Sequence, residues 1–225
     1  MTAPDDGLGP LTCNAFLGGR LRIHQPQNGY RAGIDPVLLA ASIPAKAGQT
    51  LLDLGCGVGV AALCLAARVP GIRPTGVELQ PGYAALARRN AEENGITLEV
   101  VEGDIAHMPD DLRAQHFDHV IANPPYFDRT ISTPSENPGR EGALGEDTPL
   151  DTWLRKAAKR CAPGGQVTVI HRAERLSDLL ESASHVLGSL EIKPLIPRRG
   201  RPARLVLLRG KKAGRAALKL HDGWL

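Results

Sequence analysis

Thr50-Leu51-Leu52-Asp53-Leu54-Gly55-Cys56-Gly57-Val58-Gly59 decides the fold. The first five residues read as a short buried strand, and the run from Val60 to Arg68 beyond the glycines reads as a helix. A strand, a glycine loop and a helix in that order open a doubly wound, nucleotide-binding sheet. The alternation continues downstream. Pro74 to Leu79 is expected as the second strand, Gln80 to Asn94 as a helix, Thr97 to Val101 as the third strand and Phe117 to Ala122 as the fourth. Leu150 to Cys161 reads as a helix, Gln166 to His171 as a strand and Ala173 to Val186 as the last helix. Leu190 to Ile196 and Ala203 to Leu208 leave no room for a helix between them, so they are expected to pair antiparallel. The fold class is α/β, with a mainly parallel sheet of seven strands whose last strand runs antiparallel.

Working backwards from Thr50, Ile34 to Ser42 reads as a short helix with Asp35 as N-cap and Pro36 in its first turn. Asn14 to Gln25 suggests a hairpin turning at Gly18-Gly19, and residues 1–13 a lead-in. The expected organisation is an N-terminal extension (1–45), a main domain (46–210) and a basic C-terminal tail (211–225). The 225 residues, 42% hydrophobic and 23% charged, are enough for one full core. Aromatics make up only 4%, so each one carries information. No apolar run reaches the ~20 residues of a membrane span, and Met1-Thr2-Ala3-Pro4-Asp5-Asp6 lacks a secretory leader's pattern, so a cytoplasmic location is expected. The four cysteines form no Cys-x-x-Cys pair and are expected to be reduced. His116 and His119 have no third ligand nearby, and no metal is expected.

The glycine loop also indicates its ligand. A dinucleotide site asks for G-x-G-x-x-G/A, but Val60 stands where the third small residue belongs. Asp53 would add negative charge beside a pyrophosphate, whereas a cationic amino acid group would welcome it. The implied cofactor is cationic and lacks a pyrophosphate, which points to S-adenosylmethionine. Glu78 closes the second strand, where its carboxylate can accept from both ribose hydroxyls. Asp104 follows the third strand and can accept from an adenine amino group, with Ile105 packing on the ring. Gly55, Cys56, Gly57, Gly59 and Leu79 complete the expected cofactor contacts. Each acid alone could be a loop charge or a helix cap. Three of them at the ends of three successive strands mark a ligand site.

Asn123-Pro124-Pro125-Tyr126 leaves the fourth strand without a proline N–H, offering carbonyl oxygens, an Asn side chain and an aromatic ring. That set suits a planar amino group. Taken alone it serves equally well as a strand-ending turn. Net charge is only +3, but Arg198, Arg199, Arg201, Arg204, Arg209, Lys211, Lys212, Arg215 and Lys219 crowd the end of the chain. Residues 127–148 are rich in Pro, Gly, Ser and Glu, and a loop of that length is either functional or disordered. Trp153 is expected to pack its helix against the sheet.

Together, Asp53 to Gly59, Glu78, Gly103-Asp104-Ile105 and Asn123 to Tyr126 resemble the class I S-adenosylmethionine-dependent methyltransferases that modify planar exocyclic nitrogens, a Rossmann-like family. The segment Gly29 to Leu39 is similar to the bacterial tRNA adenine N6-methyltransferases, which act on an adenine beside the anticodon of a valine tRNA. The resemblance implies an enzyme that works on RNA, here tRNA; the sequence leaves the oligomeric state open, and a monomer is assumed. Asn123 and Pro124 would accept the two amino hydrogens, Pro125 would fix the angle and Tyr126 would stack the base. It further implies Arg31 and Asp35 near the cofactor, while the crowded basic end of the chain suggests RNA contacts from Arg198, Arg199, Arg201, Lys211 and Lys212. Competing readings are an rRNA guanine N2-methyltransferase, a release-factor glutamine N5-methyltransferase, and a non-catalytic RNA-binding factor with a retained fold. Only about fifty residues precede Asp53, which leaves little room for the helical domain that precedes the core in the release-factor enzymes.

Overall fold

A computed structural model of the chain describes residues 8–126 and 148–225. The expected 127–148 loop, apart from Thr148, lies outside the described residues. The elements are β1 (Leu11–Phe16), β2 (Leu21–Pro26), α1 (Asp35–Ser42), β3 (Thr50–Leu54), α2 (Val60–Arg68), β4 (Arg73–Glu78), α3 (Pro81–Glu93), β5 (Glu99–Glu102), α4 (Asp110–Ala114) and β6 (Phe117–Ala122). Beyond residue 148 come α5 (Leu150–Arg160), β7 (Cys161–Arg172), α6 (Leu176–Ser184), β8 (Gly188–Leu195), β9 (Leu205–Lys211) and β10 (Lys219–Leu220). The strand order of the large sheet is β10-β8-β9-β7-β6-β3-β4-β5. Within it only β9 runs against its neighbours, pairing antiparallel with both β7 and β8. The seven expected strands are all present. A two-residue eighth strand, β10, comes from the basic tail and runs parallel to β8.

Alternation along each strand explains why the sheet has helices on both faces. Leu52, Leu54, Val120, Ala122, Val167 and Val169 face a core shared with Trp153, Leu154, Ala157 and Leu179 of α5 and α6. Their neighbours Leu51, Ile121 and Ile170 face the opposite core, with Leu39, Leu63 and Leu86 of α1, α2 and α3. A central strand covered on both sides must be apolar at nearly every position. Asp53 breaks that pattern inside β3 and is buried.

The hairpin β1–β2 begins at Leu11, inside the expected lead-in. It docks on α3 through two asparagines. Asn90 accepts from the His24 N–H at 2.8 Å and donates to the His24 carbonyl at 3.1 Å. Asn94 does the same with Arg22, at 2.9 and 2.7 Å. Four helical residues rise about 6 Å and two strand residues about 6.6 Å, so two side-chain amides on one helix face match alternate residues of a strand. They satisfy β2's free edge as a third strand would.

Two local expectations are corrected. Asp35 does not cap α1, whose N-cap is Ile34 without any side-chain bond. The 3₁₀ turn Ile105–His107 and the short α4 were not anticipated, because five helical residues are too few to show a period.

Candidate active site

The strand order reverses between β3 and β6, because β4 and β5 follow on one side and β7, β9 and β8 on the other. Loops at such a reversal diverge and open a crevice at the carboxyl ends of the strands. A cleft of about 1120 Å³, counted out to open solvent, lies there. Asp53, Gly55, Cys56, Gly57, Glu78, Leu79, Asp104, Ile105, Asn123 and Pro125 all line it. The sequence scatters these over more than seventy positions.

The glycine loop is shaped by its backbone. Gly55, Gly57 and Gly59 have φ of 63°, 56° and 87°, a region that costs other residues about 1–2 kcal/mol. A Cβ on Gly55 would meet the Trp153 ring at 2.7 Å. Trp153 therefore packs α5 against the sheet, as expected, and also lines the cleft beneath the loop. Gly59 lies deeper and serves as the N-cap of α2.

The acids differ in what they have left to offer. Asp53 is 3% exposed, and its Oδ2 has no hydrogen-bond partner among the described residues. Burial pushes its carboxyl up to about 7, aided by the nearby Glu78 charge and opposed by a backbone hydrogen bond. An orphaned buried acceptor at the cleft fits a cationic amino group. Glu78 accepts from the Gly57 N–H and the Gln80 N–H, each at 2.9 Å, so it also ties the glycine loop to β4. Each of its oxygens keeps a second lone pair for a hydroxyl. Asp104 accepts from the Ala106 N–H and pairs with His107, both at 2.8 Å, and so is a turn cap as well as a cleft residue. Leu79 stands 65% exposed beside the cleft, an apolar surface suited to a flat ring. These groups fit S-adenosylmethionine: Asp53 for its ammonium, Glu78 for its ribose, and Leu79, Asp104 and Ile105 for its adenine.

The acceptor end differs from expectation. Asn123 and Pro125 line the cleft, and Pro124, joined to both, has its ring buried. The Tyr126 ring already has neighbours. The His171 ring meets it edge-on at 5.3 Å between centroids, and the Arg172 guanidinium lies over it at 5.6 Å. Its hydroxyl is 2.5 Å from Asp35 Oδ2 and 2.9 Å from Asn123 Oδ1. Asp35 thus bonds the turn that follows β6, next to the cleft residue Pro36. Arg31, between the cleft residues Tyr30 and Ala32, holds the hairpin, donating to Thr12, Pro26 and Asn14 at 2.7, 2.6 and 2.8 Å.

Two further residues escaped the sequence reading. Tyr30 lines the cleft, and its N–H donates to the Tyr83 hydroxyl at 3.0 Å. The scarcity of aromatics was the available signal for it. His171 is fully buried, and burial pushes its imidazole down to about 4. Its Nδ1 accepts from the Arg172 N–H at 2.9 Å, so the proton is on Nε2, beside the Pro125 carbonyl.

The basic end of the chain is not a single face. β9 runs against β7, with Arg172 opposite Leu205 and Gln166 opposite Lys211. The exposed Arg198, Arg199, Arg201 and Arg204 therefore lie at the end of the sheet where β7 finishes, with the Arg204 carbonyl accepting from the Ala173 N–H at 2.9 Å. Lys211 and Lys212 lie at the other end of β9, about 20 Å along the strand, where the Lys212 ammonium is spent on the Ala158 carbonyl at 2.5 Å. Adjacent positions in sequence thus fall on opposite edges of the sheet.

Comparison with known proteins agrees with this architecture. Residues 32–183 match the family model of the methyltransferase small domain. A tRNA1(Val) (adenine(37)-N6)-methyltransferase of Porphyromonas gingivalis is 35% identical over 193 residues, covering 80% of this chain and 73% of that protein. Among solved structures, a protein of Agrobacterium tumefaciens described as a predicted O-methyltransferase aligns with TM-score 0.70 at 28% identity, over 85% of this chain and 86% of that one. The 16S rRNA N2 G1207 methyltransferase of Thermus thermophilus, solved with AdoMet and guanosine, shares the fold with TM-score 0.63 at 18% identity, over 90% of this chain and 50% of that one. Glycine loop, strand-end acids and sheet order, with a family match over most of the chain, lead to one conclusion: the chain belongs to the methyltransferase small-domain family, whose cofactor is S-adenosylmethionine.

Proposed function

We propose that the protein transfers a methyl group from S-adenosylmethionine to the exocyclic N6 of an adenine in tRNA. The observation that carries this reading is Asn123-Pro124-Pro125-Tyr126 at the carboxyl end of β6, with Asn123 and Pro125 on the wall of the cleft that holds Asp53 and Glu78. The 35% identity to a tRNA adenine N6-methyltransferase supports the choice of substrate. S-Adenosylmethionine supplies an electrophilic methyl on a sulfonium. An adenine amine is a poor nucleophile, because its lone pair is delocalised into the ring. The protein's part is to free that lone pair and aim it.

In this reading the Asn123 side-chain oxygen and the Pro124 carbonyl accept the two amino hydrogens, which bends the nitrogen toward a tetrahedral shape. The N–CH₃ bond forms as the S–CH₃ bond breaks, its electron pair stays on sulfur, and the methylated nitrogen then loses a proton to water. No strong general base is required. Pro125 sets the angle of the turn. An aromatic role for Tyr126 requires the face that Arg172 does not cover. The target base leaves its stack to reach the cleft, and Arg198, Arg199, Arg201 and Arg204, at the same end of the sheet, hold the flanking phosphates.

Labelled methyl transfer to separated tRNA, rRNA and protein, followed by nucleoside analysis, tests the reading. N6-methyladenosine in the tRNA fraction is expected. N2-methylguanosine in rRNA, methylated glutamine, O-methylation or no transfer would each overturn it. Asn123→Ala is expected to lower kcat by at least about a hundredfold with cofactor affinity nearly unchanged.

A further inference from the structure

The Tyr126 hydroxyl stands between two oxygens, Asp35 Oδ2 at 2.5 Å and Asn123 Oδ1 at 2.9 Å. A phenol has one proton and can satisfy only one of them. The carboxylate is the stronger acceptor and the nearer one. Burial and the Asp35 charge both raise the phenol above its ordinary value, so it remains a donor at neutral pH. With that proton committed to Asp35, an Asn123 oxygen would face phenol lone pairs. Half a turn about its Cβ–Cγ bond replaces this clash with a hydrogen bond from Nδ2 to the phenol oxygen. The chain then runs Asn123 Nδ2–H to Tyr126 Oη–H to Asp35, with every donor used. The same half turn aims the Asn123 oxygen away from Tyr126, free to accept from a substrate amine.

We infer that Asp35 is a positioning residue which, through the Tyr126 hydroxyl, fixes the Asn123 amide with its oxygen toward the acceptor nitrogen. Asp35 reaches Tyr126 from α1, ninety-one positions earlier in the chain. It lies outside the cofactor cleft's lining and has no helix-capping bond. Without the carboxylate, the phenol proton turns to Asn123 and occupies the lone pair that the amine requires. The inference rests on the proposed role of Asn123, and it makes a prediction that role alone does not make.

Methyl transfer by the full chain to its nucleic acid substrate is measured for Asp35→Leu, Tyr126→Phe and the double variant, with cofactor affinity determined by calorimetry. Asp35→Leu is expected to lower kcat by about a hundredfold, comparable to losing a preorganised hydrogen bond at the reacting atom, with cofactor Kd unchanged. Tyr126→Phe, which leaves the amide unfixed but unblocked, is expected to lose about tenfold. The double variant removes the competing donor, so it is expected to recover about tenfold over Asp35→Leu and match Tyr126→Phe. A double variant at or below Asp35→Leu, an Asp35→Leu enzyme with wild-type kcat, or a loss that appears in cofactor Kd would overturn the inference. Should Asp35→Leu fail to fold, Asp35→Asn gives the same comparison: its neutral amide competes evenly with Asn123, and Tyr126→Phe must again restore activity. An inactive wild-type chain would instead count against the proposed reaction. Active chains without recovery count against the relay alone.

Discussion

Asp53 allows a quantitative test of the cofactor site. It is wholly buried, its Oδ2 has no hydrogen-bond partner among the described residues, and its carboxyl titrates near 7 rather than at the 3.8 of a free aspartate. A raised acid holds more protons folded than unfolded, so in the unliganded protein it costs stability as pH climbs from about 4 to 7. The full shift corresponds to an upper limit of roughly 4 kcal/mol. An ammonium placed against Oδ2 reverses the balance and drives the proton off. At pH 6 about nine-tenths of the unliganded molecules carry that proton, and at pH 7 about half. Binding S-adenosylmethionine is therefore expected to release close to one proton per site at pH 6 and about half at pH 7. Its affinity should strengthen about fivefold over that unit. The comparison stays below about pH 7.7, where the cofactor's own α-amino group loses its charge. Isothermal titration in buffers of different ionisation enthalpy counts the protons. Asp53→Asn is expected to abolish the release, leaving only the part owed to Glu78, which burial also raises. Binding by the wild type without proton release at pH 6, or equal release by the Asn variant, would refute the pairing of Asp53 with the ammonium.

Two further expectations separate neighbouring residues by geometry. Gly55→Ala meets both a φ of 63° and the Trp153 ring at 2.7 Å, whereas Gly57→Ala meets a φ of 56° and only the Tyr30 ring at 3.8 Å. Strain alone costs about 1–2 kcal/mol and overpacking about 1–3 more, so urea denaturation should find Gly55→Ala the less stable of the two; equal midpoints would show that Trp153 yields freely. Replacing Arg198, Arg199 and Arg201 by alanine should weaken RNA binding and flatten its salt dependence by about 0.7–0.9 per lost phosphate contact. Replacing Lys211 and Lys212 should leave that slope unchanged in a filter-binding series, and the reverse ranking would move the RNA to the opposite edge of the sheet.

Local features of the sequence carried the architecture because each is a property of a few consecutive residues. Apolar runs bounded by Gly and Pro gave the strands, and three glycines at alternate positions marked a loop where the backbone must adopt positive φ. Acids at three strand ends and the Asn-Pro-Pro-Tyr turn then located the site, because parallel strands all finish on one side of the sheet. What these segments do to one another depended on packing. Asp35 looked like a helix cap, yet the fold carries it to the Tyr126 hydroxyl, and ties Arg31 to the hairpin, a contact no sequence spacing shows. A run of arginines and lysines looked like one basic face until an antiparallel strand put its two halves about 20 Å apart. Asn90 and Asn94 read as ordinary helix surface, and only the approach of β2 turned them into its missing partner strand. Local order follows from torsional preference and polarity along the chain. Hydrogen-bond partners drawn from dozens of residues away are chosen by which faces the sheet brings together, and one sequence read in order does not show those distances.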